Sequence, residues 1–243
     1  NPVLFLEQVA ATGSPAFDQE EVDALEIGVK HELANGRGVV NVAVFSTDIE
    51  DMQREVNVAS ATAGVSQFIL NTADASIEGI EIEGRYAFTD NFLVSANIGL
   101  IDASYDKVIY DISGDGLVNG DDLALELPRV PEATYGIGFI YDQDLGDMGS
   151  LVARANYQHR DKNYYTDNNL GFINEADMLD LNIAWNTPVD GVAVSVFGKN
   201  LLDEVQAGGD TQLPPAIGPV PVGGTFSPLK KGSLIGLELT LER

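Results

Sequence analysis

Apolar and polar side chains alternate along most of this 243-residue chain with a period of two residues. Examples run from Leu25 to Leu33, from Ile80 to Phe88, from Asp180 to Trp185 and from Ile235 to Glu242. Successive side chains of a β-strand point to opposite faces, so each stretch has one apolar and one polar face. The pattern predicts an all-β chain with strands at 22–34, 39–57, 66–88, 92–106, 133–142, 150–165, 176–186, 192–203 and 232–242.

The nine predicted strands are joined by short and long links in turn. Short turns lie at Asn35–Gly38, Thr89–Asn91, Asp142–Gly149 and Thr187–Gly191, and longer links lie at 58–65, 107–132, 166–175 and 204–231. An antiparallel up-and-down barrel in an outer membrane has this asymmetry, because its periplasmic turns are short and its extracellular loops are long. A soluble sandwich has no reason to make every second loop long. The links therefore favour a transmembrane β-barrel.

In such a barrel the apolar face of each strand meets lipid and the polar face lines a wet lumen. The predicted lipid-facing set includes Ile80, Ile82, Tyr86, Phe88, Phe92, Val94, Ala96, Ile98, Tyr135, Ile137, Phe139 and Tyr141. The predicted luminal set includes Glu81, Glu83, Arg85, Ser95, Asn97, Arg154, Asn156, Gln158, Asp180, Asn182, Glu238 and Thr240. Aromatic residues near strand ends suit girdles at the two membrane interfaces, namely Tyr86, Phe88, Phe92, Tyr141, Tyr157 and Trp185.

Composition excludes several classes of protein. The mean hydropathy is +0.01, and no apolar run reaches the length of about 18 residues that a membrane-spanning helix needs. A net charge of −25 repels nucleic acid, so we expect no nucleic-acid partner. The chain has no cysteine, which excludes disulfides and thiolate metal sites. It opens at Asn1 without an initiator Met or a signal peptide, which predicts that it begins in mid-protein or after processing.

Four local motifs occur in order along the chain. They are NTADASIEGIEIE at 71–83, LPRVPEATY at 127–135, FGKNLLDE at 197–204 and GLELTL at 236–241. Together they resemble motifs of the C-terminal half of the barrel of TonB-dependent outer-membrane receptors. One departure is the end of the chain, where Arg243 stands in place of the aromatic residue usual in that family.

The resemblance implies a barrel of about 22 strands, of which this chain supplies the last nine. Residues 1–243 are then one C-terminal barrel segment, and the plug domain, the earlier strands and the part that contacts TonB lie upstream. Nine strands with two free edges cannot sit in lipid alone, because unpaired backbone groups are costly there. The implied protein is a receptor in the outer membrane of a Gram-negative bacterium, surrounded by outer-membrane lipid.

The implied function is import of a scarce nutrient, such as an iron–siderophore complex, energised through TonB. Two alternatives stay open: a passive porin, and a calcium-stabilised surface adhesion or binding domain. Detergent dependence separates the last from the other two. We expect no enzyme, because His31 and His159 lie on separate predicted strands and no catalytic serine or zinc motif accompanies them.

Residues 111–122 resemble the calcium loop of dockerin modules. The stretch DISGDGLVNGDD matches the motif D-x-[DN]-x-[DN]-G at positions 1, 5 and 6, with Ser at position 3, Asn at 9 and Asp at 12, and Gly116 permits the sharp turn. The predicted ligands are the side chains of Asp111, Ser113, Asp115, Asn119 and Asp122 with the carbonyl oxygen of Leu117. No other cofactor is expected. The alternative is an Asp/Gly-rich surface loop without an ion.

A receptor selects its ligand with loop tips and luminal residues. The predicted contacts for a small molecule or metal chelate are Tyr164, Tyr165, Asn168 and Asn169, because aromatic faces and amides suit a chelate or a sugar. The alternative is that these four are ordinary loop residues.

Overall fold

A computed structural model describes residues 17–60, 64–206, 211–212, 216–217, 220–221, 225–226 and 229–242. Nine strands form one antiparallel sheet, and each strand pairs with the next one in the sheet. They are β1 (Glu21–Leu33), β2 (Gly38–Ser60), β3 (Gly64–Ala87), β4 (Phe92–Val108), β5 (Ala133–Asp144), β6 (Ser150–Arg160), β9 (Ala176–Asn186), β10 (Val192–Lys199) and β15 (Leu234–Leu241).

Small elements occupy the links. A short helix α1 (Gly120–Leu123) lies between β4 and β5, and a 3₁₀ turn (Gly146–Met148) lies between β5 and β6. Three two-stranded ladders complete the described elements: β7 (Asn163–Tyr164) with β8 (Phe172–Ile173), β11 (Thr211–Gln212) with β14 (Thr225–Phe226), and β12 (Ala216–Ile217) with β13 (Val220–Pro221). Among the described residues, no helix is long and apolar enough to cross a membrane.

The sheet confirms the nine predicted strands and their antiparallel, up-and-down order. It is open within the described part of the chain, where β1 pairs only with β2 and β15 pairs only with β10. We call the end of the sheet with the four short connections the turn end. The opposite end, which carries the 109–132, 161–175 and 200–233 connections, is the link end.

Three predicted boundaries are wrong. The link at 58–65 is not a long loop, because backbone pairing continues through Val58–Ser66 and Ser60–Gly64 and leaves only 61–63 outside the described residues. The segment 150–165 is two strands, β6 and β7. The segment 192–203 ends at Lys199, because Asn200 has a positive φ of 48° and begins a turn. Parts of the predicted 204–231 link lie outside the described residues.

The two faces of the sheet differ as the alternation predicts. The register places Ile82 opposite Val42 on one side and Ile98 on the other, and Ile98 lies opposite Tyr135, so one apolar row crosses four strands. On β1 the apolar face runs from Leu25 to Leu33, which is eight residue steps. With a rise of about 3.4 Å per residue and a strand tilt of about 40°, this face is about 21 Å high along the membrane normal. That height is close to the apolar band of about 25 Å typical of outer-membrane barrels.

Aromatic residues gather at both ends of this apolar face. At the turn end the rings of Tyr86 and Phe88 lie 4.9 Å apart edge to face, and those of Phe92 and Phe139 stack at 6.2 Å. The Trp185 indole N–H donates to the carbonyl of Met148 at 2.8 Å. Toward the link end the rings of Tyr135 and Tyr157 lie 6.3 Å apart. Of the six predicted aromatic positions, five form a belt at the turn end, and only Tyr157, beside Tyr135, lies in the belt toward the link end.

At the link end of β2, β3 and β4 the two faces exchange character. The face that is apolar in the band becomes polar, through the paired rows Ser46–Glu78–Asp102 and Asp48–Ser76–Ser104. The opposite face becomes apolar and holds a small core of Met52, Ala73, Ala75, Tyr105, Ile112 and Leu127. The last two come from the 109–132 link, which folds back over this face.

An irregularity in β2 makes this core possible. The pairing register shifts between Ile49 and Met52, and Asp51 between them has a positive φ of 52°. The Asp51 N–H donates to the Asp74 carboxylate at 2.9 Å, which holds the irregularity in place. Residues three apart on a regular strand face opposite sides, whereas here Ile49 and Met52 both reach the core.

Candidate functional site

The two long links between β4 and β5 and between β6 and β9 are joined to one another above the sheet. The Glu126 N–H donates to Asn169 Oδ1 at 2.8 Å, and Asn169 Nδ2 donates to the Glu126 carbonyl at 2.9 Å. The Arg129 N–H donates to the Tyr164 carbonyl at 2.6 Å. We call these three hydrogen bonds the link clasp. It makes the 109–132 and 161–175 links one structural unit.

Tyr164 and Tyr165 each have a cation against the ring. Lys162 Nζ lies 4.6 Å from the Tyr164 ring centroid and 4.9 Å from that of Phe172, which pairs with Tyr164 across the β7–β8 ladder. The Arg129 guanidinium carbon lies 4.7 Å from the Tyr165 ring centroid. These residues form two separate groups, Lys162 with Tyr164 and Phe172, and Arg129 with Tyr165. Arg129 and Lys162 are exposed.

The amides of Asn168 and Asn169 serve the link itself. Asn168 Oδ1 accepts from the Leu170 N–H at 3.2 Å, and the Asn169 amide is engaged with Glu126 through both of its polar atoms. Asn169 also has a positive φ of 56°, which asparagine tolerates better than most residues. Ligand contact by these four predicted residues stays a prediction, and the two tyrosines are the better placed for it.

A second polar group lies beneath the 161–175 link. Arg54 Nε on β2 is 3.5 Å from Asp167 Oδ1, and Tyr105 of the small core is 4% exposed. Arg54 Nε, Asp167 Oδ1 and the Tyr105 hydroxyl are buried without a hydrogen-bond partner among the described residues. The Arg54–Asp167 pair fixes the 161–175 link to β2.

The predicted calcium loop is closed by protein hydrogen bonds. The Asp111 carboxylate accepts from the N–H groups of Gly114 and Gly116 at 2.7 and 2.8 Å. Asp122 is fully buried, and its two oxygens accept from the N–H groups of Ser113 and Asn119 at 2.8 and 2.9 Å.

Asp115 accepts from the Leu117 N–H at 2.7 Å and from the Asn119 amide at 3.2 Å, and Asn119 caps α1. No group of three His, Cys, Asp or Glu side chains among the described residues is arranged to hold a metal ion. Calcium binding by this loop stays a prediction. Just before the loop, burial raises the pKa of Tyr110 and the nearby Asp111 carboxylate raises it further, so the phenol is neutral at physiological pH.

The two histidines lie apart on the apolar face. His31 on β1 is exposed and pairs with Val40. His159 Nδ1 and Nε2 lie 2.7 and 3.0 Å from carboxylate oxygens of Asp177 and Asp161, and its ring stacks on Tyr135 at 4.5 Å. Carboxylates therefore engage both ring nitrogens of His159. In the described part of the chain no serine hydroxyl is hydrogen-bonded to either nitrogen.

The sequence interpretation overlooked Arg129, Lys162, Phe172 and Arg54. A usable signal was present. The chain has 13 Lys and Arg against 38 Asp and Glu, so a stretch that combines basic and aromatic residues is unusual in it. Residues 160–165, RDKNYY, are such a stretch. The partner of Tyr165 could not be found this way, because Arg129 lies in another link.

An open antiparallel sheet with one apolar face, aromatic residues at both ends of that face and a clasped pair of long links is typical of part of a transmembrane β-barrel. The family described as TonB dependent receptor-like, beta-barrel matches residues 4–201. The chain therefore belongs to the TonB-dependent receptor family, as its four motifs predict. Barrels of this family are outer-membrane proteins of Gram-negative bacteria, and the family's members are transport receptors that interact with TonB and a ligand.

Solved structures share the fold at low sequence identity. The ferric yersiniabactin uptake receptor FyuA from Yersinia pestis is 18% identical with a TM-score of 0.71, and the match covers 93% of this chain and 30% of that one. The siderophore receptor PiuA from Acinetobacter baumannii is 17% identical with a TM-score of 0.67, covering 93% and 29%. The ferric-catecholate import receptor Fiu from E. coli K12 is 17% identical with a TM-score of 0.59, covering 93% and 28%.

Proposed function

We propose that this chain is the C-terminal barrel segment of an outer-membrane receptor that imports a scarce nutrient, such as an iron–siderophore complex, with energy supplied through TonB. The family match along residues 4–201 carries the proposal. The chain spans about 30% of the length of the solved receptors it matches, so the plug and the part that contacts TonB are assigned to the remainder of the protein.

The properties of the sheet support a barrel wall in lipid. Its apolar face and aromatic belts fit the hydrocarbon core and the two interfaces, and its opposite face presents Glu81, Glu83, Arg154 and Asn156 to water. The free edges of β1 and β15 pair with other strands of the same barrel, because an open edge in lipid leaves backbone groups without hydrogen bonds. The link end then faces the outside of the cell, where the nutrient is captured.

Iron chelates are the first substrate class to test. FyuA, PiuA and Fiu are named as receptors for ferric yersiniabactin, a siderophore and ferric catecholates. Tyr164 and Tyr165 lie at the link end, where a ligand arrives from outside, and we assign them to ligand contact with Asn168 and Asn169 as their support. Residues 111–122 of the neighbouring link are the candidate for a calcium ion that orders the loop.

Deletion of the full-length gene tests the proposal. Uptake of a panel of iron-59 chelates should fall in the deletion strain, return with the intact gene, and require functional TonB. Uptake that persists without TonB and rises linearly with concentration would identify a passive porin instead. A protein recovered from cells without detergent would identify a surface binding domain and remove the barrel from consideration.

A further inference from the structure

We propose that His159 fastens the base of the 161–175 link in a proton-dependent way. Its imidazolium binds Asp161, the first residue of the link, and Asp177, which follows the link in β9, and the base of the link loosens when the ring loses a proton in alkaline medium. We call these three side chains the imidazole clamp. The inference goes beyond the proposed function, because it concerns the stability of the link and not what the receptor imports.

The contacts of the ring require two N–H donors. His159 Nδ1 lies 2.7 Å from Asp177 Oδ1, and Nε2 lies 3.0 Å from Asp161 Oδ1. An ionised carboxylate only accepts hydrogen bonds, and an imidazole has an N–H on both nitrogens only when it is positively charged. A neutral ring donates to one carboxylate and turns a lone pair toward the other. The charge state of His159 therefore decides whether the clamp holds one carboxylate or two.

The ring is held in place by its surroundings. It stacks on Tyr135 of β5 with an interplanar angle of 15°, and only 14% of the His159 side chain is exposed. The other titratable groups that face it in the described part of the chain are the phenol of Tyr157 on β6 and the two carboxylates. Among the described residues, His159 is the only basic side chain with a nitrogen within 4.0 Å of either carboxylate.

The two carboxylates are anchored unequally. Asp177 pairs with His159 across the β6–β9 ladder, and the same Asp177 oxygen accepts from the Tyr157 hydroxyl at 2.6 Å. Asp161 lies beyond the end of β6, and within the described ranges its carboxylate has no hydrogen-bond donor other than His159. The shorter contact keeps the remaining proton, so a neutral ring stays bonded to Asp177 and releases Asp161.

Release of Asp161 acts where the link is attached to the sheet. The Asp161 N–H donates to the Ala133 carbonyl at 3.0 Å, and Arg160 Nη2 donates to the Asn174 carbonyl at 3.3 Å. These bonds stay in place when the ring is neutral, and the far part of the link is still joined to the 109–132 link by the link clasp. We therefore expect the loosening to be confined to the two ends of the 161–175 link.

Hydrogen–deuterium exchange of the full-length receptor tests the proposal at about pH 6 and about pH 9, which lie on either side of the range in which histidine usually changes charge. Each rate is divided by that of an unstructured peptide at the same pH, because free amides themselves exchange faster in alkali. The clamp is closed in the protonated state and lost as the pH rises. Protection near residues 161–164 and 172–176 should therefore fall about threefold to tenfold at the higher pH.

Two variants of the clamp separate its charge from its hydrogen bonds. His159→Gln removes the charge, so protection at the two ends of the link should be low at both pH values. Asp161→Asn supplies an N–H donor to a neutral Nε2, while Nδ1 still donates to Asp177. This variant should keep the link closed at about pH 9, where its protection exceeds that of the unaltered receptor about threefold or more.

His31→Gln is the matched control, because His31 lies exposed on the same face of the sheet, where it pairs with Val40. It should leave the pH response of the link unchanged. Equal protection of the unaltered receptor at the two pH values would overturn the clamp. So would a pH response that persists in Asp161→Asn, and this variant decides the question even when His159→Gln does not fold.

Discussion

The band that crosses the membrane and the link end of the same strands place their apolar side chains on opposite faces of the sheet. In the band, β3 turns Ile80 and Ile82 outward and Glu81 and Glu83 inward, because lipid lies outside and water inside. A few residues further toward the link end, Glu78 faces outward and Ile77 packs inward. Along β3 from Ile82 to Ile77 the side chains still alternate between the two faces, yet the surroundings of each face have changed.

The comparison shows that the alternation of apolar and polar residues indicates more than the presence of a strand. It also indicates what each face of the sheet contacts. Beyond the band the outer face meets water, so acidic residues are stable there. The inner face is covered by the 109–132 link, so a small core of Met52, Tyr105 and Leu127 forms on it. The link end is thus a folded unit with its own apolar packing, supported on a wall that is stabilised by lipid.

The largest effect is expected from Leu127→Ala, which tests whether the link end has its own core. Leu127 is 3% exposed, and its truncation should lower the free energy of local opening by about 2–5 kcal/mol. Hydrogen–deuterium exchange in the full-length receptor measures it at residues 109–132. Leu117→Ala in the same link is the control, since Leu117 is 64% exposed and should change exchange little. Unaltered exchange in both would mean that no such core stabilises the link.

The boundary between the two regions is tested by one arginine placed on either side of it. Ile82→Arg enters the apolar band and should cost about 2–4 kcal/mol of unfolding free energy in a bilayer. Ser104→Arg is on the same face beyond the band, is exposed, and should cost less than about 0.5 kcal/mol. Guanidinium titration of the receptor in vesicles measures both. Similar losses at the two sites would contradict the assigned edge of the membrane.

The clasp predicts that the two links open together. Asn169→Ala removes the two hydrogen bonds to Glu126 and the longer one to the Asp167 carbonyl, and it places alanine at a φ of 56°, so local stability should fall by about 1–3 kcal/mol. Asn169→Gly removes the same hydrogen bonds, but glycine adopts a positive φ without strain. The loss of local stability should therefore be about 1 kcal/mol smaller than for Asn169→Ala. Limited proteolysis reports cleavage within 109–132 and 161–175. Cleavage of one link without the other would show that they are independent.

The smallest effect concerns calcium. If residues 111–122 hold an ion, we expect a dissociation constant of about 0.1–1 mM, as for extracellular calcium modules, and about 0.4–1.4 kcal/mol of added stability at about 1 mM calcium. Isothermal titration calorimetry measures binding, and Asp115→Ala should abolish it. The absence of any heat in the unaltered receptor would leave the hydrogen bonds of Asp111 and Asp122 as the whole explanation of the closed loop.

The sequence predicts the nine-stranded sheet well, because the alternation of apolar and polar residues within each strand shows which residues lie on each face. The turns at Asn35 and Thr187 are equally local. The site depends on contacts between distant residues: Glu126 and Asn169 are 43 residues apart, and Arg129 meets Tyr165 from another link. The irregularity at Asp51 also has a distant cause, the carboxylate of Asp74. Periodicity within one strand carries no information about such pairs.

Arg129 contributes to two contacts at once, since its N–H belongs to the clasp and its guanidinium covers Tyr165. A displacement of this one side chain therefore reaches the backbone of both links within a single residue. A fluorophore attached near Leu117, in the 109–132 link, should consequently respond to a change made in the neighbouring 161–175 link.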